Sequence, residues 1–152
     1  DGESLDVNPI SEVDIDNGEM FIGMLKAAYQ LMGDYKCVHW NAKGRDFREL
    51  HDSTNEYSLE YQVDTIGEWC VEYIGYAPHP SNLCTTPERF TYSDGYDLDT
   101  GFTLLQESIH EFVSTLELYY CNLPHDIQNI LDGWIREWNQ KADYLMSRTL
   151  KV

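Results

Sequence analysis

The stretch from His39 to His51, His39-Trp40-Asn41-Ala42-Lys43-Gly44-Arg45-Asp46-Phe47-Arg48-Glu49-Leu50-His51, decides how the chain is read. It divides into the end of one helix, a short link and the start of another. Upstream, Met20, Phe21, Met24, Leu25, Ala28, Leu31, Met32, Tyr35 and Val38 recur at intervals of three and four, the spacing of an apolar stripe on a helix. That periodicity predicts a helix from about Asn17 to Asn41, and Gly44 marks the link. Asp46 and Glu49 form a capping-box-like pair: the Asp side chain accepts from a first-turn N–H and the Glu reaches back to the cap. A second helix is expected from there, with Leu50, Leu59, Val63, Ile66, Trp69, Cys70, Tyr73 and Ile74 on its apolar face and Gly75 as its stop.

Further out, residues 76–99 read as a long connection broken by Pro78, Pro80, Asn82, Pro87 and Gly95. Thr86-Pro87-Glu88 has the form of a short helix start, Thr as cap and Pro at the first helical position. A third helix is expected from about Thr100 to Cys121, with Phe102, Leu105, Ile109, Phe112, Val113, Leu116 and Tyr120 inward. After the corner Asn122-Leu123-Pro124, a last helix from about His125 to Leu150 turns Ile127, Ile130, Leu131, Trp134, Ile135, Trp138, Tyr144 and Leu145 inward. No segment alternates like a strand. Two helix pairs joined by a long central crossover predict an all-α fold, a four-helix bundle over residues 18–150 with the connectivity of ferritin-like bundles. Residues 1–17 hold six acids and no base and read as an extended acidic N-terminal arm.

The 152 residues suffice for one domain, and 42% apolar residues suffice for a core. With 27 acids against 10 bases the formal charge is −17. That argues against direct DNA binding, which needs clustered Lys and Arg, and favours surfaces that attract cations. No run approaches the ~18 apolar residues of a membrane span. Cys37, Cys70, Cys84 and Cys121 form no C-x-x-C pair and lie in apolar runs, so buried free thiols in a reducing compartment are expected.

His39, Trp40, Asn41, Gly44, Phe47, Leu50 and His51 together fit the pattern H-W-N-x-x-G-x-x-F-x-x-L-H, and on it the chain resembles the Dps family, the mini-ferritins. Asp64-Thr65-Ile66-Gly67-Glu68 resembles that family's D-x-x-x-E, and the regions around 126–131 and 141–146 resemble its last helix. The resemblance implies a hollow homo-oligomer, commonly a dodecamer, built from two-fold dimers, which oxidises Fe(II) with peroxide or oxygen and stores ferric iron. It implies iron ligands shared between two subunits, here His39, His51, Asp64 and Glu68. Imidazole and carboxylate suit a non-haem iron that must change oxidation state. It also implies a tryptophan near the iron, here Trp40. Proteins of this kind are encoded by bacteria and by phages, so the expected location is the cytoplasm of a cell or infected cell, with the virion as alternative.

Two departures stand out. The family's further ligand, an Asp four residues after the second His, is Asn55 here. The intervals from His51 to Asp64 and Glu68 are 13 and 17, each two residues shorter than the family's. Two residues rotate one part of a helix against the other by about 200°. Glu49, not His51, stands at the longer intervals. Three readings follow: a local irregularity in the helix, Glu49 in place of the histidine, or a decayed site. Asp52, Glu56, Glu60, Asp64 and Glu68 recur every fourth residue, with no Lys or Arg to relieve a repulsion of a few tenths of a kcal/mol, about 0.2–0.5, per pair. A solvated face accounts for most such ladders; iron attraction or a basic protein partner accounts for one that is used. The rival expectation to a ferroxidase is a bundle that has lost oxidation and serves as a virion or filament component, or as an acidic decoy for a basic protein.

Overall fold

The structure is a computed structural model and describes residues 16–43, 57–83 and 95–149. Its elements are α1 (Asn17–Asn41), α2 (Tyr57–Ile74), α3 (Leu98–Tyr119) and α4 (His125–Thr149), with single 3-10 turns at Pro80–Asn82 and Tyr120–Asn122. α1 packs against α2 and α3, and α3 against α4, which makes a four-helix bundle whose long connection runs between α2 and α3.

Local chemistry accounts for the ends. Asp16 caps α1 by accepting from the Glu19 N–H at 2.7 Å, and Asp97 caps α3 by accepting from the Thr100 N–H at 2.9 Å. Gly75 ends α2 at φ +90°, its N–H donating to the Val71 carbonyl. His79 starts the Pro80–Asn82 turn, its Nδ1 accepting from the Ser81 N–H at 3.0 Å. The bounds of α1 and α4 agree with the apolar periodicity. The expected start of the second helix at Asp46, the short helix at Thr86–Glu88 and the arm up to residue 15 lie outside the described residues.

The core runs the length of the bundle. From α1 it takes Met20, Phe21, Met24, Leu25, Ala28, Leu31, Tyr35 and Val38, all buried. Aromatic rings tie the helices together. Trp138 lies edge-on to Tyr35 and Phe112 at centroid distances of 5.9 and 6.2 Å, Trp69 stacks on Trp134 at 5.6 Å, and Phe21 stacks on Tyr73 at 4.8 Å. Among the described residues, three buried polar side chains sit between them. Gln62 accepts from Trp138 Nε1 at 2.9 Å. Asp34 accepts from Ser108 Oγ at 2.6 Å and from Gln30 Nε2 at 2.9 Å. Each satisfies a group whose burial unpaired would be costly.

The inward faces differ from the expected ones at a few places. Ile130 and Tyr144 are exposed, and Tyr119 is buried where Tyr120 was expected inward. Tyr120 instead donates its hydroxyl to Asp132 at 2.8 Å. Of the cysteines, Cys70 is buried, Cys37 half-buried and Cys121 exposed, all three free; Cys84 lies outside the described residues. No helix among the described residues is long and apolar enough to cross a membrane.

Candidate metal centre

Along the outer side of the α1–α2 pair runs an open groove of about 470 Å³. Leu25, Tyr29 and Met32 of α1 and Val63 and Val71 of α2 give it an apolar floor, and Ala77, Pro78, Pro80 and Leu83 beyond α2 also line it. Glu60, Asp64 and Glu68 line it, one helical turn apart. All three carboxylates are exposed. Lys36 of α1 reaches Glu60 at 4.0 Å, with both side chains largely in solvent. A pair so exposed contributes well under about 1 kcal/mol; it marks the register that core packing sets between the two helices.

From that register the other candidates can be placed. Lys36 and Glu60 lie at one level of an antiparallel pair. His39 is three residues beyond Lys36, and Asp64 and Glu68 run the opposite way. At a rise of about 1.5 Å per residue, His39 stands roughly 10 Å along the bundle from Asp64 and roughly 16 Å from Glu68. His39 is half-buried on the last turn of α1. One chain therefore brings Asp64 and Glu68 together and leaves His39 apart from them. Among the described residues no group of three His, Cys, Asp or Glu side chains is close enough to hold a metal ion. His51, Glu49, Asn55, Asp52 and Glu56 lie outside the described residues. Trp40, beside His39, is 73% exposed, a large apolar surface at the same end of α1.

Cys70 does not line the groove: it is buried in the core, and that burial pushes its thiol up to about 11. Sequence reasoning located Asp64 and Glu68 but not the groove they share. The signal was available in Tyr29 and Met32, which lie on the edge of the α1 stripe at spacings that follow Leu25. It also missed Asp34, a carboxylate three residues after Leu31 and so in the phase of the core.

No family model matches the chain, and no curated protein does. Solved structures do. Antigen TpF1 from Treponema pallidum superposes with a TM-score of 0.71 at 15% identity, covering 95% of this chain and 97% of its own. Dps from Microbacterium arborescens in a high iron form gives 0.71 at 16% identity, with the same coverages of 95% and 97%. A DPS protein from Vibrio cholerae O1, described as a member of a broad superfamily of ferritin-like diiron-carboxylate proteins, gives 0.60 at 20% identity, covering 96% and 98%. At such identities the likeness is one of fold, and the fold is Dps-like: a ferritin-type four-helix bundle.

Proposed function

We propose that this chain is the subunit of a mini-ferritin that takes Fe(II) as its substrate, oxidises it with peroxide or oxygen and sequesters the ferric product in a homo-oligomeric cage. The observation that carries the reading is the pair Asp64 and Glu68, exposed one turn apart in an open, apolar-floored groove and separated along the bundle from His39 of the same chain. A centre using all three needs two copies, each giving what the other lacks. Two-fold pairing across the groove meets that need and covers the floor. Asp64 and Glu68 supply carboxylate oxygens and His39 an imidazole, with His51 or Glu49 as a fourth donor. This is a hard-to-borderline set that accepts both oxidation states of iron. The free thiols accord with a reducing compartment, the cytoplasm of a cell.

The test is Fe(II) oxidation by peroxide at neutral pH, with iron retention followed through gel filtration. Wild-type protein speeds oxidation and co-elutes with iron; Asp64→Asn with Glu68→Gln slows the reaction roughly tenfold or more, in the range of a lost ligand or positioning partner. Wild-type protein that neither oxidises nor retains iron sinks the reading.

A second reading is a bundle kept as a structural or interaction protein, the acids serving a basic partner. Asn55 in place of a carboxylate and the shortened His51–Asp64 interval favour it. Native mass separates the two: a closed cage supports the first, a monomer or filament the second.

A further inference from the structure

The crossover returns to the bundle through residues 95–97, and it does so at the end of α1. The Tyr96 N–H donates to the Asn41 carbonyl at 2.8 Å, and the Lys43 N–H donates to the Tyr96 carbonyl at 3.1 Å, an isolated parallel bridge centred on Ala42 and Tyr96. Asn41 is the last residue of α1, and the carbonyls of a helix's last turn lack partners within the helix. The strap supplies one. Gly95 has φ +73°, and a Cβ there would fall 2.9 Å from the Asn41 carbonyl oxygen and into the Lys43 side chain. Only glycine brings the two backbones this close. The Tyr96 side chain is 2% exposed, with its hydroxyl 3.7 Å from the Sγ of Cys37. Asp97 follows at once as the cap of α3. Three consecutive residues therefore fasten the last turn of α1, the turn that carries His39, to the first turn of α3.

We infer that Gly95 and Tyr96 are positioning residues for His39. The inference rests on the reading of His39 as a metal ligand. A helix end without partners frays, and a ligand on a fraying turn is spread over many positions. A metal site needs its donors held to about 0.5 Å. The strap removes that freedom from both sides: it closes the terminal carbonyl through Asn41 and fills the space under Cys37 with the Tyr96 ring. The close approach is what requires Gly at 95.

The experiment uses the full chain and Co(II) alone, a probe that binds with a visible absorption band and is not oxidised under the conditions of the titration. The variants are Gly95→Ala, Tyr96→Ala, Tyr96→Phe, His39→Ala and Gly75→Ala. The last is the control. Gly75 also has a positive φ, +90°, but open space where a Cβ would stand, so it shares the backbone penalty without touching α1. Gly95→Ala and Tyr96→Ala are expected to weaken Co(II) binding roughly tenfold, as the loss of a ligand's supporting contact does. Both are expected to shift the His39 ring resonances in metal-free protein. Tyr96→Phe restores affinity and resonances. Gly75→Ala lowers the melting temperature and leaves both unchanged. Wild-type affinity and unshifted His39 resonances in the folded Gly95→Ala and Tyr96→Ala proteins overturn the inference. Should His39→Ala bind Co(II) as the wild type does, the reading of His39 as a ligand fails instead, and the metal-free resonances still decide whether the strap orders the turn. If Gly95→Ala does not fold, the Tyr96 pair decides alone.

Discussion

Cys70 shows how much one side chain's surroundings settle. It lies on the inner face of α2 with no exposed surface, and burial raises its thiol from 9.0 to about 11. The folded state thus holds a proton that the unfolded chain releases near 9. Between those values the unfolded state binds fewer protons, so stability is full below about pH 9 and falls as the pH rises towards 11. The loss is at most about 3 kcal/mol, since a tenfold change in an acidity constant corresponds to about 1.4 kcal/mol. Burial also raises the Tyr73 and Tyr119 phenols, which act in the same direction. Denaturant melts between neutral pH and about 11 check this, and Cys70→Ala is expected to flatten part of the slope. A slope that ignores that substitution would place the effect elsewhere. The sequence grouped four cysteines as buried thiols. Cys121 falls in the 3-10 turn after α3 and is exposed; it stands four residues after Glu117 and three after Leu118, both exposed, so it continues the solvent face of that helix.

Among the elements, α2 and α4 are joined in the core by a polar tie, Trp138 Nε1 donating to Gln62 Oε1 at 2.9 Å. Both partners are nearly inaccessible, at 4% and 2% exposure. Gln62→Leu keeps the volume and leaves the indole N–H unpaired, which should cost about 1–3 kcal/mol. Pairing it with Trp138→Phe should recover part of that loss, a coupling a double-mutant cycle in urea will measure. Purely additive losses would mean that the bond contributes nothing beyond packing. Helix bounds were the most legible feature of the sequence, because α1 and α4 are long and strictly periodic. Phase was less so. On α4 the buried positions are Ile127, Leu131, Trp134, Trp138, Ala142 and Leu145. Ile130 and Tyr144 each stand one residue, about 100°, before a member of that set, and large apolar side chains on the shoulder of the stripe read as inward. Polar members of the core were passed over for the opposite reason: Gln62, Asp34 and Ser108 stand in the phase of the buried stripes, but polar side chains read as surface until their partners on another helix are known. That Asp64 and Glu68 share a face was legible from their spacing of four; singling them out from the acidic ladder rested on the resemblance. Their separation from His39 was not legible, since it depends on the register of α1 against α2.

For the whole molecule, the question is what covers the α1–α2 groove. Val71 is 55% exposed on its floor, with Tyr29 and Met32 beside it. Covering such a surface with a second copy releases apolar area at about 25 cal/mol per Å². Opposing it is the formal charge of −17 on each chain. The two terms respond differently to salt. Raising ionic strength from about 0.01 to 0.15 M shortens the screening length from roughly 30 to 8 Å, which weakens the repulsion between whole chains and leaves the apolar contact in place. Native mass is therefore expected to rise with salt over that range. Val71→Glu should abolish the rise, since it puts a further carboxylate into the floor beside Asp64 and Glu68. A matched substitution away from the groove, Leu118→Glu on the exposed side of α3, adds the same charge without touching the floor. If Leu118→Glu lowers the mass and Val71→Glu does not, self-association uses another face, and the acidic pair in the groove is then left open to a partner of opposite charge.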